Sequence, residues 1–324
     1  MSRSLFEHLA ASIGPRFSGQ VETGRSLARL TTYRLGGPAG LYVEPADVDD
    51  LKVLGEALRV IADERGPVPV LTLGRGSNIV ISDRGFPGVV VRLRARSFAA
   101  IESSGEAGLR AGAATSLPLL ANWAARRALA GIEFLIAIPG SVGGAVRMNA
   151  GAHGGEIKDV LATATIFGLD DLEVTSMAAA DVGFAYRSST LTERDVVLDA
   201  SLVLTASDGA SVRDRMEDYR RHRAATQPPA VQNAGSTFKN PSGDHAGRLV
   251  EAAGLKGARV GGAAVSALHA NFFVTDEGAS AQDVYDLVQL VRERVGREFG
   301  IDLEPEVRFV GAFEDPARAR EVVP

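Results

Sequence analysis

A glycine-rich stretch, Pro139–Glu156, constrains what this chain can fold into more than any other segment. Its sequence is PGSVGGAVRMNAGAHGGE, and six of its residues are glycine. Glycine adopts backbone conformations closed to other residues, at an entropic cost, and lets a second surface approach the main chain closely. Successive amide groups in such a loop can also face an anion. We interpret the stretch as a ligand-binding loop; a glycine-rich hinge between domains is the alternative.

A second loop of this kind, Gly74–Asn78 with the sequence GRGSN, lies upstream. Two anion-binding loops in one chain predict a large ligand that carries a diphosphate. The chain has no GxxxxGKS/T segment, and Ile79 stands where a Rossmann fingerprint requires glycine. Pro139 precludes a GxSxG nucleophile elbow at Gly140-Ser141. A diphosphate ligand would therefore be held by another fold.

Length and composition narrow the class of protein. The 324 residues suffice for two or three domains, and a net charge of −5 provides no field that would draw the chain to nucleic acid. The absence of cysteine excludes disulfides, iron–sulfur clusters and thiol redox chemistry, so a redox enzyme of this sequence would need an organic cofactor. The five histidines form no HExxH pair, and we expect no metal site.

The sequence also bears on location. Its first residues lack the apolar core of a signal peptide. No uninterrupted apolar run approaches membrane-spanning length, because the most apolar window, 134–146, is broken by Pro139 and three glycines. We expect a cytoplasmic monomer that acts on a small molecule and has neither a membrane nor a nucleic acid as partner.

Hydrophobic spacing and turn residues predict small α+β units. Helices are predicted over 48–64, 117–130, 211–224 and from Ser280 onward, where Asp283 stands in capping-box position. An amphipathic lead-in is expected over 1–20, and a charged tail from 314. Strands are predicted over 31–38, 41–45, 68–73, 79–82, 89–93, 108–111, 161–167, 195–204 and 303–310.

The segment Ala234–Pro241 holds a serine, a lysine and an asparagine within five residues, between a glycine and a proline. A polar turn with a satisfied hydroxyl group explains this pattern as well as a reactive site does. Serine donates a proton usefully only where a neighbour hydrogen-bonds or charges the site. Lys239 and Asn240 could supply that for Ser236.

Three further positions are weaker candidates. Arg187 is either a surface ion-pair partner or, in a cleft, a bidentate donor to a carboxylate. Glu304 and Glu306 are two residues apart on a predicted strand, hence on one face, and a buried one would have a raised pKa and could handle protons. His269, in a polar patch with Asn271, is better explained as a packed histidine.

Together these residues resemble the UDP-N-acetylenolpyruvoylglucosamine reductase family over about 30–311. No single motif is decisive, but their order and spacing are specific. The resemblance is carried by Gly74–Asn78, Glu133-Phe134, Ile138–Ala145, Met148–Gly151, Tyr186-Arg187 with Ser189, Gly235–Pro241, His269–Phe272 and Glu306–Arg308.

The resemblance implies an α+β, three-domain flavoprotein. Residues 1–94 and 95–209 would form a two-part FAD-binding region of the vanillyl-alcohol-oxidase (PCMH) type, and 210–313 a C-terminal substrate domain. NADPH would reduce FAD, which would pass hydride to UDP-N-acetylglucosamine-enolpyruvate and give UDP-N-acetylmuramate for peptidoglycan precursor synthesis. The alternatives are a sugar or lactone oxidase of the same flavin fold, and a flavin- or UDP-sugar-binding protein without turnover.

The family's functional residues fall on defined positions of this sequence. The proton-donating serine falls on Ser236, with Arg187 and Glu306 as its catalytic partners. Cofactor contacts fall on Gly74, Arg75, Gly76, Ser77, Asn78, Pro139, Gly140, Ser141, Gly143, Gly144, Ala145, Asn149, Ala150, Gly151 and Arg308. Substrate contacts fall on Tyr186, Arg223, Lys239, Asn240, His269 and Asn271.

The chain departs from the family pattern at three places. The 49-residue separation of Arg187 and Ser236 is too short for the loop, with its substrate-clamping tyrosine, found in one branch. The chain therefore resembles the shorter branch. His153 stands where the family commonly has tyrosine, and Gln227 lies near a lysine position of the longer branch. The residues that would clamp the substrate diphosphate are thus unassigned.

Overall fold

The structure, a computed structural model, describes residues 3–314, so the predicted tail beyond Glu314 lies outside the described residues. The chain forms two compact units, each assembled from several segments. The first comprises residues 3–25, 39–75 and 87–223, and the second comprises 26–38, 76–86 and 224–314. The division of the chain into 1–94, 95–209 and 210–313 stays a prediction.

Seven α-helices are interspersed among runs of strands along residues 3–314. The helices are α1 (Arg3–Ile13), α2 (Val48–Arg65), α3 (Leu117–Ala125), α4 (Val142–Met148), α5 (Gly209–Thr226), α6 (Ala246–Ala252) and α7 (Ala281–Phe299). The first strands are β1 (Gln20–Thr23), β2 (Ala39–Glu44), β3 (Val70–Thr72), β4 (Ile79–Ile81), β5 (Phe86–Val91), β6 (Ile101–Ser104), β7 (Gly108–Gly112), β8 (Leu129–Ala130) and β9 (Gly151–Ala152). The others are β10 (Gly155–Glu156), β11 (Leu161–Gly168), β12 (Val174–Ala178), β13 (Asp195–Val203), β14 (Thr205–Ala206), β15 (Arg259–Val260), β16 (Ala263–Val265), β17 (Phe273–Thr275) and β18 (Arg308–Val310).

The two largest sheets of the first unit enclose its main hydrophobic cores. A mixed four-stranded sheet has the order β1-β2-β5-β3, and its core includes the buried faces of α1 and α2. An antiparallel five-stranded sheet has the order β12-β11-β13-β7-β6. Its core includes buried apolar residues of α3 and α4. The glycine-rich stretch is thereby anchored on this second core.

Helix α2 shows how the pattern specifies local structure. Apolar residues at helical spacing predict it, and four of them are buried: Leu51, Leu54, Leu58 and Ile61. Asp47 caps its N-terminus by accepting hydrogen bonds from two backbone amides, and Gly66, with φ of +85°, ends it. The prediction of a helix over 48–64 is confirmed.

The second unit combines an antiparallel sheet, β15-β16-β17, with a parallel pair, β4 and β18. Helix α7 supplies much of its core through an apolar stripe of five valines and leucines, Val284, Leu287, Val288, Val291 and Val295. Ser280 and Asp283 form the predicted capping box, and Gly300 ends the helix in the left-handed conformation. No helix of residues 3–314 is long and apolar enough to cross a membrane.

Three predicted elements differ from the structure. Residues 31–38 form a turn rather than a strand, because Arg34 and Gly36 have positive φ angles. The helix predicted over 117–130 ends at Ala125, since Ala128 is left-handed and β8 follows. The strand predicted over 303–310 is only β18, so Glu304 and Glu306 lie outside it and do not share a strand face.

The glycine-rich stretch itself differs from the predicted loop. Two turns of helix, α4, occupy Val142–Met148 in its centre. Apolar residues of that helix, Val142, Ala145 and Val146, are buried in the core of the five-stranded sheet. Burial of this short apolar face therefore outweighs the low helix propensity of the two glycines.

Asp50 offers a test of how the first unit is held together. Its carboxylate is 2% exposed and accepts hydrogen bonds from the amides of Ser18 (2.7 Å), Gly19 (2.9 Å) and Ala46 (2.8 Å). Asp50→Ala leaves these buried amides without an acceptor. We expect a loss of about 3 kcal/mol in the free energy of unfolding, measured by urea denaturation.

The neighbouring Asp49 is the matched control. Its side chain is 84% exposed and pairs with Lys52 at 3.1 Å. Asp49→Ala should cost no more than about 0.5 kcal/mol. Equal effects of the two substitutions would contradict the role given to Asp50.

Candidate functional site

An open cleft in the first unit collects several of the glycine-loop positions selected from the sequence. Gly74 and Arg75 follow β3, whereas Ser141, Gly143 and Gly144 lie at the start of α4. The fold thus brings together two segments that are far apart in sequence. The rest of the lining is Thr72, Leu73, Arg92, Leu93, Arg94, Ala99, Ala113, Ala114, Arg147 and Val197.

The cleft is cationic. Four arginines line it: Arg75, Arg92, Arg94 and Arg147. Arg94 lies 3.4 Å from the carboxylate of Glu44. The half-buried guanidinium group of Arg147 donates to the carbonyl oxygens of Leu191 (3.1 Å) and Asp195 (2.6 Å), which fix its orientation. Positive charge with apolar side chains beside it suits an anionic ligand that also carries rings.

Close packing explains two of the cleft glycines. A side chain at Gly74 would begin 2.7 Å from Ser141 Oγ, and one at Gly143 would begin 3.0 Å from Ala113 Cβ. At Gly144 the nearest atom would be Ser141 Oγ at 3.5 Å, which is an ordinary contact. Gly144 is exposed on the cleft wall, so there the missing side chain leaves space for a ligand.

The backbone amides of the two loops differ in their partners. Val142 N–H donates to the carbonyl of Thr115, and Gly143 N–H to that of Ala113, both at 3.0 Å. The expectation of a run of bare amides is therefore wrong at the start of α4, where these two groups hold the fold. The amides of Gly74 and Arg75 donate to no acceptor among the described residues of the first unit.

Other positions assigned to the cofactor are built into the fold. Asn149 is fully buried, and its side chain donates to Glu156 and to the carbonyl of Ala185 and accepts from the amide of Lys158, each at 3.1 Å. A cofactor contact through that side chain would have to displace these bonds. Such contacts also stay predictions at the neighbouring buried or half-buried positions Pro139, Gly140, Ala145, Ala150 and Gly151.

Arg187 is held by the same segment. Its guanidinium group donates to the carbonyl of Gly151 at 2.8 Å and lies 3.6 Å from the Glu156 carboxylate and 5.0 Å from the centre of the Tyr186 ring. Burial acts to raise the pKa of Glu156, but hydrogen bonds from Lys158 and Asn149 and the charges of Lys158 and Arg187 outweigh it and lower that pKa. Glu156 is therefore a carboxylate at neutral pH, and it orients Arg187.

In the second unit, Asn78 of the upstream glycine loop is hydrogen-bonded to the C-terminal segment that contains Glu306 and Arg308. The carbonyl of Asn78 accepts from the amide of Arg308 at 3.1 Å, and its side-chain amide donates to the carbonyl of Glu306 at 3.1 Å. Gly76 has φ of +65°, and a Cβ there would lie 2.2 Å from the carbonyl of Leu30, so only glycine fits. The half-buried Ser77 lies between them, in the same turn.

The Ser236 segment lies beside Glu306 in this unit. Ser236 forms a backbone bridge with Phe272, and the next carbonyl, that of Thr237, accepts from the amide of Glu306 at 2.8 Å. Buried Asn271 bonds to the segment through its carbonyl, which accepts from Thr237 N–H at 2.7 Å. Three positions selected from the sequence, Ser236, Asn271 and Glu306, are thus brought together by backbone hydrogen bonds.

The proposed helpers of Ser236 are engaged elsewhere. Lys239 Nζ pairs with the exposed Glu304 carboxylate at 2.7 Å, and Asn240 accepts from the amide of Ala246, the first residue of α6. His269 packs against the ring of Phe272, and burial, followed by the charge of Lys256, lowers its pKa. The interpretation of His269 as a packed histidine agrees with this geometry, and its substrate contact stays a prediction.

The structure also indicates residues that the sequence did not single out. Arg92, Arg94 and Arg147 line the cleft, and Glu156 orients Arg187. Arg147 and Glu156 lie within the glycine-rich stretch, but side chains of this type are too common on surfaces for their position alone to be a signal. Among residues 3–314, no group of three or more histidine, aspartate or glutamate side chains is arranged to hold a metal ion.

Comparison with known proteins agrees with this geometry. The family model for an FAD binding domain matches residues 39–170, and the model for the UDP-N-acetylenolpyruvoylglucosamine reductase C-terminal domain matches 227–310. A UDP-N-acetylenolpyruvoylglucosamine reductase 2 of Symbiobacterium thermophilum is 46% identical over 91% of this chain and 94% of its own. The reductase of Bradyrhizobium sp. is 42% identical over 92% of this chain and 94% of its own.

A solved structure gives the same result. The UDP-N-acetylenolpyruvylglucosamine reductase of Thermus caldophilus superposes with a TM-score of 0.76 at 36% identity, covering 90% of this chain and 100% of that one. The predicted fold class, an α+β flavoprotein with an FAD-binding region ahead of a C-terminal substrate domain, is confirmed. Fold and site define an FAD-dependent oxidoreductase. More specifically, the chain belongs to the UDP-N-acetylenolpyruvoylglucosamine reductase family.

The position of Gly144 gives a test of the cleft as the cofactor site. Gly144→Val places a branched side chain at the cleft wall, where its Cβ would make only an ordinary contact, 3.5 Å from Ser141 Oγ. We expect normal folding but FAD affinity reduced about tenfold or more, because the ligand must move or lose contacts. Fluorescence titration of the flavin-free protein with FAD measures this.

Gly14→Val is the matched control, because a Cβ at Gly14 has nothing within 4 Å and the residue does not line the cleft. It should leave FAD affinity unchanged. Unaltered FAD binding by a folded Gly144→Val protein would exclude this cleft.

Proposed function

We propose that this chain catalyses the NADPH-dependent reduction of UDP-N-acetylglucosamine-enolpyruvate to UDP-N-acetylmuramate, a step of peptidoglycan precursor synthesis, as a cytoplasmic monomer. The observation that carries the proposal is the backbone pairing of the Ser236 segment with Glu306, in a chain 46% identical to a protein with that reductase name. An oxidase of the same flavin fold would need no such serine.

The cleft of the first unit fits FAD. Its arginines and the amides of Gly74 and Arg75 are donors for a diphosphate, and its apolar residues suit ring systems. When bound, FAD supplies the hydride that NADPH has provided. Gly74, Arg75, Ser141, Gly143 and Gly144 are then the predicted contacts best supported by this unit's geometry.

Ser236 would hold the proton that reaches the carbon beside the one receiving hydride. Gly235, with φ of +77°, and the bridge to Phe272 fix the backbone of this serine. Its Oγ donates to no acceptor among the described residues of the second unit, so the hydroxyl group is available to a substrate. A fixed backbone with an uncommitted hydroxyl suits a proton donor in a defined direction.

Arg187 and Glu306 would stabilise the negative charge that develops on the substrate during the reaction. Hydride addition to the enolpyruvyl group pushes electron density onto its carboxylate. The guanidinium group of Arg187, oriented by Glu156 and Gly151, could form two parallel hydrogen bonds to that carboxylate. Glu306 would serve as a second hydrogen-bonding group. Removing one such preorganised group costs about 3 kcal/mol of barrier, or about 100-fold in rate.

Purified protein should be yellow and should oxidise NADPH only when the enolpyruvyl sugar nucleotide is present, because the reduced cofactor then has its intended acceptor. Visible absorption spectra with and without NADPH, followed by addition of the substrate, measure loss and recovery of the flavin band. Equal turnover with oxygen alone would instead indicate an oxidase, and a colourless protein that cannot be loaded with FAD would contradict the proposal.

Ser236→Ala separates the two halves of the reaction. Reduction of bound flavin by NADPH should keep its rate, whereas reoxidation by the enolpyruvyl substrate should slow about 100-fold or more, because the proton donor is lost. Stopped-flow absorbance measures each half-reaction separately.

Ser242→Ala is the control, since Ser242 is an exposed serine of the following turn. It should leave both rates unchanged. If reoxidation were equally fast in the Ser236 variant, this residue would have no place in the mechanism.

A further inference from the structure

A buried asparagine of the second unit closes the loop that leads into Ser236. Asn233 is 2% exposed. Its side-chain amide donates to the carbonyls of Pro229 (2.5 Å) and Val231 (3.1 Å), and its Oδ1 accepts from the amide of Gly235 at 3.1 Å. An asparagine that binds the backbone amide two residues further on takes the place of a backbone turn. One side chain therefore binds three main-chain groups of the segment just before Ser236.

Side-chain packing does not hold this loop at Gly235. A Cβ there would have nothing within 4 Å, and the residue has φ of +77°. Glycine pays no steric penalty for this conformation but has many others open to it. The hydrogen bond to Asn233 is therefore a contact that selects one direction for the Gly235 amide, one residue ahead of Ser236.

A second buried asparagine holds the chain after the serine. The carbonyl of Asn271 accepts from the amide of Thr237 at 2.7 Å. Its Oδ1 accepts from the amide of Phe238 at 2.9 Å, and its Nδ2 donates to the carbonyl of Phe238 at 2.8 Å. Ser236 thus lies between two buried asparagines, Asn233 before it and Asn271 after it, that bind its neighbours in the chain.

Thr32 joins the serine loop to the upstream glycine loop, Gly74–Asn78. Thr32 Oγ1 donates to the carbonyl of Asn233 at 2.6 Å, and the amide of Thr32 donates to the carbonyl of Gly76 at 3.0 Å. The carbonyl of Thr32 accepts from the amide of Gln232 at 2.8 Å. One threonine therefore binds both loops through short hydrogen bonds.

We propose that Asn233 is a positioning residue for Ser236, and that Thr32 links this position to the glycine loop at Gly76. The inference rests on the proposed function, in which Ser236 delivers a proton to the carbon beside the one that receives hydride. A misplacement of about 1 Å can cost on the order of 100-fold in the rate of such a step. Asn233 acts through the backbone, because its side chain is buried and already hydrogen-bonded there.

Two substitutions at Asn233 test this role in the full-length, FAD-loaded protein. Asn233→Ala removes the acceptor for the Gly235 amide, whereas Asn233→Ser keeps a side-chain oxygen that can accept from it. Reduction of flavin by NADPH should keep its rate in both variants. Reoxidation by the enolpyruvyl substrate should slow about tenfold in the alanine variant and by less than about threefold in the serine variant. The slowed step should show a larger solvent deuterium isotope effect, because proton delivery then limits it.

Asn122→Ala is the matched control, and Thr32→Val is the milder variant. Asn122 of α3 also donates to a backbone carbonyl, that of Pro118 at 2.7 Å, but it lies in the first unit and does not line the cleft. Its substitution should leave both half-reactions unchanged. Thr32→Val removes only the hydroxyl group that binds the carbonyl of Asn233, so it should slow reoxidation less than Asn233→Ala does. It carries the test if Asn233→Ala does not fold.

Amide hydrogen exchange gives a readout without turnover. The Gly235 amide should exchange about tenfold faster in Asn233→Ala than in wild type or in Asn122→Ala. Unchanged exchange at Gly235, or reoxidation at the wild-type rate in the Asn233→Ala and Thr32→Val variants, would overturn the positioning role. A wild-type protein that protects this amide but does not reduce the enolpyruvyl substrate would instead lose the proposed function, and Asn233 would still orient Ser236. The two failures are therefore distinguishable.

Discussion

The cationic cleft of the first unit depends on a close backbone approach at the start of α4. The amides of Val142 and Gly143 bond to carbonyls of the segment after β7, and the packing at Gly143 leaves 3.0 Å for a Cβ against Ala113. These contacts fix the glycine-rich stretch on the core of the five-stranded sheet. They also leave Gly144 facing the cleft, so one short helix both contributes to the hydrophobic core and forms part of the cleft wall.

In the second unit, backbone contacts also place candidate site residues. The carbonyl of Thr237 accepts from the amide of Glu306, and Asn78 binds the backbone of both Glu306 and Arg308. Side chains with possible chemical roles are thus positioned by main-chain hydrogen bonds, which vary little with rotamer choice. Such preorganisation is what a site needs if its groups must act only as charge develops.

Electrostatics divides the candidate side chains into two kinds. Lys239 and Arg187 have carboxylate neighbours within the protein, Glu304 and Glu156, whereas Arg223 has none among the described residues of its unit. The charge of a paired cation is already stabilised. Its remaining N–H donors therefore contribute more to the orientation of a ligand than to the affinity for it. For the half-buried Arg223, burial lowers the pKa of the guanidinium group.

Secondary structure could be predicted from the sequence wherever a local pattern of residues is compatible with only one backbone conformation. The apolar spacing of α2 and the Ser280–Asp283 capping box of α7 predicted both helices, because helical period and cap act within a few residues. The same logic failed at 31–38, where two positive φ angles make a turn, and at Glu306, which lies just before β18. The composition of a short segment does not specify which strand it will pair with in the folded protein.

By itself, the sequence determined the absence of cysteine chemistry, the two glycine-rich segments and the ordered motifs that identify the family. Only the tertiary structure decided that α4 forms inside the glycine-rich stretch, that Arg92, Arg94 and Arg147 line its cleft, and that His153 stacks on Tyr219. The reason is physical: motif order and residue chemistry are properties of the chain, whereas burial, the pairing of charges and the approach of distant backbones are set by contacts between residues that are remote in sequence.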